Sequence, residues 1–253
     1  MNDTQKTIQD PPFAALPENT FDGRALAKTL LRATPAGALA TLARETAFPF
    51  ATLTSLATAE DGSPILLLSE LAHHTKNLRA DPRASLLLTQ GGKGDPLAHP
   101  RLTLVGRLAP SDAPRDRARF LRRHPKAELY ADFPDFHFWR MDIAAVHLNG
   151  GFARAADYPG RDILIAPAPE LAAMEVALLA EINAWTRDER GALAASAGED
   201  GALHWRAVGL DAEGLDLAAP QQTARLTFDS AVPSPENWSA TIKKLSSSQN
   251  SVA

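Results

Sequence analysis

The chain has 253 residues, 45% of them hydrophobic, with a formal net charge of −4 and a pI near 6.0. That supplies core material for one large domain or two modest ones, and the lack of a basic field argues against nucleic acid as a partner. With no cysteine present, disulfides, thiolate catalysis and Cys-ligated metal centres are excluded.

Residues 1–20 are polar and interrupted by Pro11, Pro12 and Pro17, so they read as a flexible arm without the basic start and apolar centre of a secretory signal. No apolar run reaches membrane-spanning length, and a cytoplasmic address with no membrane contact is the expectation. Asp22 is placed to cap a helix carrying Leu26, Leu30 and Leu31 at helical spacing, which Pro35 and Gly37 end. Strand signals follow at 38–42, 50–57 and 64–68, with an Asp61-Gly62 hairpin cue between the last two. Residues 84–89 and 101–108 continue the series on either side of a flexible 90–96 loop. A charged helix over 113–123 then leads to a last strand near 144–148 and to Gly150-Gly151-Phe152.

Six strands with few helices predict a small, mainly β barrel over 21–160. A linker containing Pro159, Gly160, Pro167 and Pro169 separates it from a small α+β domain over 168–253. That domain reads as a helix over 170–185, strands at 204–208, 214–217 and 224–228, and a closing helix capped by Ser234 and frayed from 246 onward.

The polar run from Ser69 to Asn77, set between two apolar strands, is where chemistry concentrates. A helix starting near Leu71 or Ala72 leaves its first amides unpaired, and His74, Thr75, Lys76 and Asn77 could add donors to an anion there. An ordinary helix capped by Ser69, with a solvated polar face, accounts for the same residues. His73 and His74 point about 100° apart on a helix, so they do not share a metal ion. The other histidines, His99, His124, His137, His147 and His204, lack ligand spacing. Gly91-Gly92-Lys93-Gly94 lacks the Ser or Thr that a P-loop needs after its lysine, and there is no Gly-x-Ser-x-Gly elbow. The aromatic run over 130–139 fits core filling first and contact with a flat ligand second.

The pattern Ser69-x-Leu71-x-x-His74-Thr75-Lys76-Asn77-Leu78, followed by Asp81-Pro82-Arg83-x-Ser85-Leu86 and Arg101-Leu102-Thr103-Leu104-x-Gly106, resembles split-barrel flavoproteins related to pyridoxamine 5'-phosphate oxidase. His124-Pro125, Tyr130, Asp135-Phe136 and Gly150-Gly151-Phe152 extend the resemblance, which is closest to the haem-utilisation (HugZ-type) branch. Glu181-Ile182-Asn183 and Gly209-Leu210-Asp211-x-x-Gly214-x-Asp216-Leu217 resemble the small domain of that branch. Where those relatives continue from the Asn into an acidic residue and a histidine, this chain has Trp185 and Thr186.

The resemblance implies that the barrel is a six-stranded split β-barrel, and that the protein is an FMN-binding oxidoreductase, a homodimer with flavin at the subunit interface and an unread small-molecule substrate. Ser69, His74, Thr75, Lys76 and Asn77 would surround the FMN phosphate, with Ser85 or Arg101 assisting, and the chemistry would belong largely to the flavin. The alternative it implies is haem binding or haem breakdown, for which His204 is the histidine available as a ligand near the C-terminal end. A cofactor-free structural or regulatory barrel is the third reading.

Overall fold

The computed structural model describes residues 22–89, 91–92, 94–151, 154–220 and 222–248, so the expected arm over 1–20 lies outside the described residues. The first part of the chain runs α1 (Arg24–Ala33), β1 (Ala36–Leu42), β2 (Pro49–Ser55), β3 (Ala57–Thr58), β4 (Pro64–Ser69), α2 (His73–Ala80) and β5 (Arg83–Thr89). It continues through β6 (Arg101–Pro110), α3 (Pro114–Arg123), β7 (Phe136–Asn149) and β8 (Ala155–Pro159). These strands form one curled antiparallel sheet in the order β2-β1-β5-β6-β7-β4-β3, with β8 also on β7, as a split barrel requires.

Eight strands replace the six expected: the 50–57 run divides into β2 and β3, and β8, which the sequence leaves unassigned ahead of the Pro159-Gly160 linker, pairs with the end of β7. The 50–57 run divides at Leu56, whose amide donates to the Pro35 carbonyl at 2.8 Å, so the chain leaves β1 and pairs with β4 instead. The last strand begins at Phe136 and spans 14 residues, because alternate side chains find separate cores. Trp139, Met141 and Ile143 enter the main barrel core, while Phe136 and Phe138 pack beside Phe120 and Leu121 of α3. The aromatic run is therefore largely core filling. β4 behaves in the same way: Leu66 and Leu68 face the barrel interior, and Ile65 and Leu67 face α3. Gly62 supplies the expected hairpin turn, at a φ of 94° that favours glycine. At the start of α1, Gly23 occupies the cap position, and Asp22 Oδ1 accepts from the Arg24 amide at 3.0 Å.

The remaining elements are α4 (Pro169–Asn183), α5 (Arg187–Ser196), β9 (Arg206–Asp211), β10 (Gly214–Ala219), β11 (Gln222–Thr227) and α6 (Pro235–Ser248). The three strands form an antiparallel sheet in the order β11-β10-β9, over a second core that includes Leu171, Ile182, Trp205, Leu215 and Trp238. The helix α5 is an addition to the expected helix, three strands and helix. Gly191 in its middle hides the pattern, while Thr186 starts it through a reciprocal capping box with Glu189. Trp185 packs against the second core, so both residues at the altered motif have local structural work. Ser234 caps α6 as expected, its Oγ accepting from the Asn237 amide at 3.3 Å, and the helix continues to Ser248. His204 lies outside the strand predicted for it. β9 starts at Arg206, and Trp205 is drawn inward with its Nε1 donating to the Asp200 carbonyl at 2.9 Å. Among the described residues, no helix is long and apolar enough to cross a membrane.

A buried ionic seam joins the two cores. Asp211 Oδ2 accepts from Arg32 Nε at 2.9 Å, and its Oδ1 accepts from Arg225 Nη2 at 2.5 Å. Arg225 also donates to Asp216 Oδ1 at 3.0 Å. Burial alone would push the Asp211 carboxyl up, but Arg225 and Arg32 hold it far below the usual carboxylate range. Nearby, Arg119 reaches Glu175 of α4, the Thr58 carbonyl at 2.7 Å and the Leu210 carbonyl at 3.0 Å. Asp211→Ala leaves two buried guanidinium groups without their shared acceptor, and is expected to cost about 3–5 kcal/mol, measurable as a lowered midpoint in urea unfolding.

Candidate functional site

The helix α2 is the place where unsatisfied polarity collects. Its cap residue, Ala72, has no side chain able to cap, so the helix presents its first amides without a capping acceptor. The start falls one or two residues later than the sequence suggests, because Ser69 is committed elsewhere. Ser69 Oγ donates to Asp135 Oδ2 at 2.6 Å and accepts from the Leu71 amide at 3.1 Å, which fixes the turn leading into α2.

His74 and Thr75 follow at the mouth of the barrel. His74 Nδ1 lies 3.0 Å from Thr52 Oγ1 on β2, and burial, followed by the neighbouring His73, lowers the pKa of its imidazole. The adjacent His73 ring meets Phe50 edge-on, with centroids 5.9 Å apart. Thr75 is fully buried, and its Oγ1 has no hydrogen-bond partner among the described residues. Lys76 is exposed and makes no ion pair there.

Asn77 does different work. Its Nδ2 donates to Thr41 Oγ1 at 3.0 Å and its Oδ1 accepts from the Arg44 amide at 3.1 Å, so both ends of the side chain tie α2 to β1 and the turn after it. Such a side chain has little capacity left for a ligand.

Ser85 and Arg101 do not join this group. Thr41, the partner of Asn77, stands opposite Ala84 on the barrel-facing side of the sheet, whereas Ser85 stands opposite Ala40 and Val105 on the other face. Arg101 pairs in register with Thr89, at the end of β5 remote from α2, and donates to the Leu97 carbonyl at 3.0 Å. His204 stands exposed in the loop before β9.

Sequence reasoning missed Phe50, Thr52 and Thr41, and placed Asp135 only in the family pattern, without its contact to Ser69. Thr52 and Thr41 share the inward face of β2 and β1 with the buried Leu39 and Thr54, and polar residues at inward positions are the signal that could have found them.

A curled antiparallel half-barrel with a polar helix start across its mouth defines a split-barrel protein. The chain belongs to the CREG beta-barrel family, whose model matches residues 19–162. It is similar to the protein Atu2129, of unknown function, from Agrobacterium tumefaciens, with 31% identity and a TM-score of 0.82 over 93% of this chain and all of that one. A heme binding protein from Mycobacterium smegmatis shares 27% identity and a TM-score of 0.55, over 92% of this chain and all of that one. The chloroplastic heme oxygenase HOZ of Arabidopsis thaliana is 36% identical over 134 residues, which is 51% of this chain but only 40% of that protein.

Because both polar ends of Asn77 are used within the chain, Asn77→Ala is expected to lower stability by about 1–3 kcal/mol in thermal or urea unfolding, with or without any cofactor.

Proposed function

We propose that this protein binds haem at the start of α2, against the inner face of β2. The likeness to the heme binding protein from Mycobacterium smegmatis, over nearly the whole chain, supports haem ahead of flavin, which reverses the order implied by the sequence resemblance. The shorter likeness to HOZ points the same way and raises haem breakdown as the activity to assay.

The carrying observation in the molecule is His74. Thr52 engages its Nδ1, its Nε2 has no partner among the described residues, and burial favours the neutral imidazole. A neutral ring oriented through one nitrogen and free at the other is what an iron ligand requires. Phe50 meets the adjacent His73 ring, and Phe48 and Leu71, each two residues earlier in the chain, are largely exposed. Those groups suit the apolar face and edge of a macrocycle. When bound, haem supplies a redox-active iron, while this chain's part is to ligate and shield it. His204, exposed and away from this apolar border, is the weaker ligand.

FMN is the second reading, favoured by one specific feature. The orphaned Oγ1 of Thr75, the uncapped start of α2 and the unpaired Lys76 together form donors suited to a phosphate. In this reading Thr75, Lys76 and the helix amides hold the phosphate, and Asn77 and Ser69 shape the helix start that carries them.

Parallel titrations of the purified protein with haem and FMN separate the two. Haem is expected to give a sharp Soret band that is lost in His74→Ala and retained in His204→Ala. Tight FMN uptake abolished by Thr75→Ala with Lys76→Ala, together with no Soret band, would favour flavin instead.

A homodimer also belongs to this proposal. Leu53, Ala38 and Leu87 form a cross-strand row on the outer face of the sheet, with Leu53 78% and Leu87 39% exposed. Ser85 shares that face, which is where a second copy would bring it into play. Leu53→Lys is expected to convert the dimer to monomer in analytical ultracentrifugation, without lowering the thermal midpoint of the monomer.

A further inference from the structure

We propose that the seam between α3 and the β9–β10 pair binds one small inorganic anion of halide size. The proposal is independent of the haem reading, since the seam shares no residue with the α2 site.

Five arginines meet three carboxylates in this seam. Arg32, Arg119, Arg123 and Arg225 are buried and Arg122 is mostly covered, whereas the acids are Glu175, Asp211 and Asp216. Every acid is already shared. Asp211 is held by Arg32 and Arg225, Asp216 by Arg225 with Arg119 at 3.8 Å, and Glu175 by Arg119 and Arg122. Arg123 is left without an ion pair although it is only 8% exposed, and its Nε and Nη2 have no acceptor among the described residues. Arg119 uses Nε and Nη1 in hydrogen bonds, but its Nη2 makes none. Uncompensated buried charge is costly, and an anion is the direct remedy.

A niche for that anion lies between these two arginines. A small cavity of about 10 Å³ is lined by Ala57, Thr58, Arg119, Arg123, Val208, Gly209 and Asp216. That volume accepts about one water-sized sphere, which selects a monatomic ion over phosphate or a carboxylate. Gly209 keeps the niche open, because a Cβ there would lie 3.0 Å from Arg119 Nη2 and 2.9 Å from Asp216 Oδ2. Asp216 is the one acid bordering the niche, and its charge is offset by Arg225 at 3.0 Å. Water could occupy the same volume but would leave the excess positive charge in place.

Thermal unfolding of the full chain in sodium chloride or bromide, against sodium gluconate at equal ionic strength, tests this. The melting temperature is expected to rise logarithmically with halide, by about 3 °C for each tenfold increase above the dissociation constant. Arg123→Leu, which keeps the seam filled but removes the free guanidinium, is expected to lose that halide-specific rise. Should the variant fail to fold, bromide-grown crystals of the wild-type protein carry the test, with an anomalous peak expected between Arg119 and Arg123. Equal melting temperatures in halide and gluconate, an undiminished halide-specific rise in Arg123→Leu, or no anomalous peak in the niche would each overturn the proposal.

Discussion

Asp211 is the point on which the architecture closes. It ends β9, and its two carboxylate oxygens accept from a guanidinium on α1 and another on β11. The α1 helix packs its leucines into the barrel core, so this one carboxylate ties the first core to the second. Its backbone contributes as well, since the Asp211 carbonyl accepts from Trp238 Nε1 of α6 at 3.0 Å. Replacing such a group with apolar atoms would remove several directional constraints together, and direction is what sets the relation between a curled sheet and a separate three-stranded one.

Much of the β architecture could be read from residues because each strand obeys a simple alternation. The pairs Leu66 with Leu68 and Ile65 with Leu67 divide cleanly between two cores, and the Asp61-Gly62 turn carries its own conformational signature. The true length of β7 was not legible, since its first residues, Phe136 to Trp139, look like a loop-borne aromatic cluster until α3 supplies a second core for them. α5 escaped notice for the opposite reason: its stabilisation lies in the Thr186 and Glu189 capping box, whereas its centre contains glycine. The seam was invisible because an arginine on a helix or an aspartate in a strand reads as a solvated position. Only the fold reveals that Arg32, Arg225 and Asp211 share one buried volume.

The candidate site divides in a similar way. Sequence spacing placed His74, Thr75 and Lys76 on one helix start, and the structure keeps them there with open chemistry. It assigns Asn77 and Ser69 to the shape of that helix, because each finds its partners in strands or turns distant along the chain: Thr41 for Asn77 and Asp135 for Ser69. Ser85 was adjacent in sequence to the same segment, yet the two-residue period of β5 turns it to the outer face of the sheet. A motif read along a chain cannot distinguish a residue that touches a ligand from one that positions the residue that does.

The same separation bears on why haem and flavin compete for one assignment. Both ligands present a flat apolar system with anionic groups at its edge, so a helix start carrying free amides beside exposed aromatic rings suits either. The discriminating element is the imidazole of His74. For a flavin phosphate it would serve best charged, as a donor, yet its burial next to His73 disfavours the protonated form. For iron the neutral ring is the reactive form, and Thr52 already fixes its orientation through Nδ1. The environment of His74 thus sits closer to what the proposed haem reading asks of the ring than to what a flavin phosphate would ask.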